Sequence, residues 1–204
     1  SDIPVLSGDG YQMGVRSMLW ENYLSMRLQH AHSNMDFDGP HTDFGALSDD
    51  SQRFSFNLTP LGAQVSEDGR LQLWNVELAY QKMGAFYESL LSQLEESDRE
   101  KYSIGTNYLY GGASLSGEVA WITTNVNDFV DLPTDRAMNS WAQASYAPED
   151  EIWGRPVFFA GGTLSDEDRQ KTPGGYAGLG LNRITSSLNG GASLSFDDVV
   201  STLN

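Results

Sequence analysis

The segment GYQMGVRSMLWENYLSMRLQHAHS, residues 10–33, reads as a helix and sets the fold class. Asp9 followed by Gln12 has capping-box spacing, an acidic N-cap with an amide three residues on. Val15, Met18, Leu19, Tyr23 and Met26 fall on one helical face. Met13, Trp20, Leu24 and Leu28 fall roughly opposite. A helix apolar on two sides is buried on both, or it offers its second side to a partner.

Downstream, residues 34–52 are polar and rich in Gly and Asp, a loop composition. Arg53–Leu58 alternates, with Phe54, Phe56 and Leu58 on one side, as a half-buried strand does. Asp68-Gly69 between two short runs signals a hairpin. Over residues 75–97 a stripe of Val76, Tyr80, Met83, Tyr87, Leu90, Leu91 and Leu94 predicts a second helix, with Asn75 as its N-cap.

After Tyr102 the character changes. Residues 102–117 carry no charge and are rich in Gly, Ser and Tyr. Val119–Val126 reads as a strand, and Pro133 opens a helix to Tyr146. Trp153–Ala160 reads as an edge strand around Pro156, and Ser165–Asp168 as a capped helical turn. Residues 172–204 are Gly-rich with short strand pieces such as Ala192–Phe196. The order predicts an α+β fold: N-terminal helices with a β-hairpin, then a Gly-rich, strand-rich half. One domain over 1–204 is expected, with a division near 102 into 1–101 and 102–204 as the alternative. The segments at 106–116 and 185–195 echo each other around Gly-Gly, as two turn-to-strand corners would.

The chain has 204 residues, with 12 basic and 28 acidic side chains and a net charge of −16. That charge argues against a phosphate-backbone partner, so no nucleic acid is expected. No apolar run approaches the roughly 18 residues of a membrane-spanning helix, and no membrane insertion is expected. With no Cys, disulfides, thiolate catalysis and Cys-zinc sites are excluded. The opening residues, Ser1-Asp2-Ile3-Pro4, lack the basic and apolar segments of a secretion signal, so none is expected there.

Two motifs carry candidate chemistry. Asn34, Asp36 and Asp38, followed by Gly39, match the first half of a calcium loop, in which alternate residues aim oxygens inward. The position of the bidentate Glu is Gly45, so an EF-hand is not expected. His30, His32 and His41 are all the histidines of the chain, interleaved with Asp36, Asp38 and Asp43. Two imidazoles and a carboxylate can hold Zn²⁺ or Fe²⁺. His30 and His32 would chelate together if extended and diverge if helical.

No nucleophile elbow, Walker loop or dinucleotide fingerprint occurs. The leading expectation is therefore a non-enzymatic assembly protein in a virion or cell-surface array, partnered by copies of itself or other subunits. No catalytic residue or resident cofactor is expected. The alternatives are a calcium-stabilised extracellular binding module, and a metal-dependent enzyme built on His30, His32 and His41.

Overall fold

The computed structural model describes residues 7–21, 23–36, 47–85, 98–148, 155–173, 182–196 and 199–203. They form one antiparallel sheet in which each strand pairs with the next in sequence. Nine strands are long: β1 (Ser7–Leu19), β2 (Leu24–Asp36), β3 (Leu47–Val65), β4 (Leu71–Met83), β5 (Arg99–Tyr110), β6 (Ala113–Thr124), β7 (Thr134–Tyr146), β8 (Val157–Lys171) and β9 (Asn182–Phe196). A short tenth, β10 (Val199–Leu203), pairs with β9.

The α+β expectation is overturned: no helix occurs among the described residues. Residues 10–33 are β1, a turn and β2, with Gly10 opposite Ser33. The helix expected at 75–97 is β4 as far as Met83, and residues 86–97 lie outside the described part. The helix expected from Pro133 is β7, and Ser165–Asp168 lie within β8. Pro156 precedes β8, which is an interior strand paired on both sides, not an edge. Arg53–Leu58 lies in β3, Val119–Thr124 in β6 and Ala192–Phe196 in β9, and Asp68-Gly69 does turn the chain between β3 and β4. The Gly-Gly echo occupies unlike places. Gly111-Gly112 is the β5–β6 turn, while Gly190 and Gly191 lie in the body of β9.

Period-two alternation explains the architecture. Successive strand residues point to opposite faces, and the register lines up like with like. Met26, Phe56, Leu78, Ile104 and Val119 stand opposite one another across five strands. Leu28, Phe54, Tyr80, Tyr102, Trp121 and Met138 form the next row on that face. The other face carries Arg27, Ser55, Ala79, Ser103, Ala120, Asn139, Ser165 and Thr185 in one row.

The connections differ at the two ends of the strands. At one end they are short over most of the sheet: four residues at Trp20–Tyr23, five at Ser66–Arg70 and two at Gly111-Gly112. At the other end residues 37–46, 84–98, 125–133 and 172–181 intervene. Asn125, 4% exposed, organises one of these longer connections. Its Nδ2 donates to the carbonyls of Phe129 (3.0 Å) and Leu132 (3.2 Å), and its Oδ1 accepts from the Phe129 amide at 2.8 Å.

The two-residue turn has a strict requirement. Gly111 has φ 53°, the left-handed position that hairpin turns reserve for glycine. A Cβ on Gly112 would stand 1.7 Å from the Ala147 carbonyl oxygen, so backbone would have to move. Gly112→Ala is expected to cost about 2 kcal/mol or more. Gly69→Ala, with φ +83° and open space around it, is expected to cost about 1 kcal/mol. Urea unfolding of the two variants checks this order, and a reversed order would overturn it.

Candidate functional site

The segment singled out for metal chemistry lies on β2, beside the long connections. His30 and His32 are both extended and share a face with Tyr11. His32 Nδ1 lies 2.8 Å from Asp50 Oδ1, and His30 Nε2 lies 3.8 Å from the same oxygen. The Tyr11 ring stacks on His32 at 5.4 Å. Asn34 donates to Asp9 Oδ1 at 3.2 Å, across the β1–β2 pair. Asp36 ends β2, while Asp38 and His41 lie outside the described residues. Among the described residues no group of three or more His, Cys, Asp or Glu is placed to hold a metal ion. The calcium motif therefore does not follow a helix, and its first residues continue a strand.

The larger feature is the sheet itself. Only Met83 and Ala120 are buried apolar residues among those described, so no second layer covers either face. The accessible surface is 14095 Å², against roughly 9,400 Å² for a compact monomer of this mass. Most of the exposed large apolar side chains of the strands lie on one face. They include Val15 (66%), Ile184 (68%) and Leu188 (90%), with Leu78, Ile104, Leu115 and Phe158 between them. Met18, Val65, Leu71, Trp141 and Val157 are exceptions on the other face.

This apolar face carries no charge along its central band. From Tyr102 to Tyr110 on β5 and from Ala113 to Thr123 on β6, every residue directed to it is uncharged. Charges on this face gather beside the long connections, at Asp9, Asp50, Lys82, Glu100, Arg136, Asp166 and Asp168. Aromatic rings with polar tips border the band. Tyr80 and Tyr102 both donate to Glu100 Oε1, at 2.9 and 3.1 Å. At the short-turn border Trp74 Nε1 donates to Thr106 Oγ1 at 3.1 Å, and Tyr110 donates to Asp68 at 2.6 Å.

The opposite face is polar. Neighbouring strands cross-link there through Lys101–Glu118 at 3.0 Å, Arg169–Asp135 at 2.6 Å and Arg183–Glu167 at 2.7 Å. Among the described residues, three grooves open on this side. One of about 480 Å³ lies over β1–β4, one of about 210 Å³ over β3–β6, and one of about 280 Å³ over β7–β9.

The signal for this arrangement was present in the sequence. Tyr11, Met13 and Val15 alternate, as do Trp74, Val76, Leu78 and Tyr80. The second run overlaps the stripe that reads as helical, because Val76 and Tyr80 satisfy both periods. Among the described residues no helix is long and apolar enough to cross a membrane. That fact concerns helices, and a strand crosses with about ten residues.

Outside the bands, Asp98 is held above its usual value, chiefly by burial, with the nearby Asp49 adding to it. Asp68, in the β3–β4 turn, is held down at about 2 by hydrogen bonds from Ser66 and Tyr110. A depressed carboxylate stabilises the fold fully above its ordinary value of 3.8, and that contribution is lost as pH falls toward the folded value. The urea midpoint of the wild type should therefore fall between pH 4 and pH 2 by more than that of Asp68→Asn. Parallel curves would show that Asp68 contributes nothing. No family model, curated protein or solved structure matches the chain.

Proposed function

We propose that this chain forms the wall of a β-barrel that spans a lipid bilayer and encloses a polar path. The charge-free apolar band, bordered by aromatic rings and backed by a polar face, carries this reading. Some eighteen large, half-exposed side chains present on the order of 1,500 Å² of apolar surface. Left in water, that surface would forgo roughly 35 kcal/mol, several times the stability of a typical domain. Hydrocarbon removes the cost. Three further features favour a bilayer over a protein cover. The nine long strands run 12–19 residues, well beyond the usual five or six. The order is a strict meander, the topology of up-and-down barrels. Connections are mostly short at one end and long at the other, as in membrane barrels.

The assembly reading keeps one foothold. The outer edge of β1 has no neighbouring strand among the described residues, and an open edge is not tolerated in lipid. Closure by further strands, or by another copy, makes the functional unit larger than this sheet.

Folding into phosphatidylcholine vesicles tests the proposal. The wild type should float with the vesicles. Ile104→Arg, at the centre of the apolar band, should lose about 2–4 kcal/mol of folding stability in the bilayer. Ser103→Arg, one residue along on the polar face, should lose less than 1 kcal/mol. A monodisperse, vesicle-free protein in detergent-free buffer would overturn the reading.

A further inference from the structure

We propose that the polar face over β1–β4 is a binding site for small oxyanions, such as phosphate or dicarboxylate solutes. The site rests on the polar-path reading for its access, though not for its chemistry. Arg16 and Arg27 stand directly opposite each other across the β1–β2 pair. Like charges in that position are mutually destabilising. Arg53 lies two residues from Ser55, the partner of Arg27 on β3, and so sits diagonal to it on the same face. Among the described residues none of the three guanidinium groups donates to a carboxylate or carbonyl.

Three other cations on this face are neutralised. Lys101, Arg169 and Arg183 each hold a carboxylate at 3.0 Å or less. Among the described residues lining the β1–β4 groove, Glu77 is the one carboxylate. This excess of positive charge lies in a chain whose net charge is −16, so it is local to the groove and is not a property of the whole surface.

The groove has the capacity and the donors for a ligand. Its volume is about 480 Å³, within the range of small-molecule sites. Ser25, Gln29, Ser55 and Asn57 line it with Arg16 and Arg27. None of these four side chains is engaged elsewhere among the described residues. Gly14, opposite Gln29, leaves that wall without a side chain. A guanidinium fork matches the oxygens of phosphate or carboxylate in paired hydrogen bonds. A bound oxyanion would relieve the repulsion between Arg16 and Arg27. A lipid phosphate is not the occupant, because the site faces away from the apolar band.

Calorimetric titration of the full chain, refolded in detergent, with sodium phosphate at constant ionic strength tests the site. Saturable binding is expected, weakened roughly tenfold or more in R16Q/R27Q and strengthened in E77Q. No saturable binding, or equal binding in R16Q/R27Q, would overturn the proposal. Vesicle flotation of wild type and R16Q/R27Q is scored in parallel. If phosphate binds and the protein does not float, the membrane reading alone fails. If it floats without binding phosphate, the oxyanion site alone fails.

Discussion

The antiparallel register between successive strands is the constraint on which everything else depends. A slip of one residue between β4 and β5 would bring Tyr102, Ile104 and Thr106 onto the face of Gln81, Ala79 and Glu77. Because side chains alternate strictly, such a slip would exchange two whole faces. The apolar band and the polar face are therefore two results of one alignment.

Direct cross-strand pairs hold that alignment. Asp135 stands opposite Arg169 in the β7–β8 register, and two nitrogens of the guanidinium reach its two oxygens, at 2.6 and 2.9 Å. Glu167 stands opposite Arg183 in the β8–β9 register. Exposed ion pairs contribute little to stability, yet each marks one register as the satisfied one. On the other face Tyr80 and Tyr102 meet at 4.9 Å across β4 and β5.

The parts of the fold legible in the sequence are those decided locally. The Asp68-Gly69 hairpin announces itself because glycine supplies the left-handed residue, at φ 83°. The β1–β2 turn does not, because Trp20 and Glu21 occupy left-handed positions at φ 50° and 52° with no glycine to mark them. Without that break, residues 10–33 merge into one segment, and Val15, Met18, Leu19, Tyr23 and Met26 read as a helical stripe. The acids at 166–168 resemble a helix start. On β8 they separate, Asp166 and Asp168 to one face and Glu167 to the other, where it meets Arg183. The clustering of His30 and His32 was visible in the sequence, but their shared partner, Asp50, belongs to another strand. The same holds for Arg16 and Arg27, eleven positions apart in sequence and juxtaposed only by the hairpin.

A sheet in which every strand touches only its sequence neighbours is nearly one-dimensional. Its ancestry can then be additive. A hairpin gained or lost at either end alters the sheet by two strands and leaves every remaining pairing untouched. Divergence can also run at two speeds within one molecule. Substitutions on the strands are accepted when they keep the character of their face, whereas a position such as Asn125, whose side chain ties a connection together, is held by its hydrogen bonds.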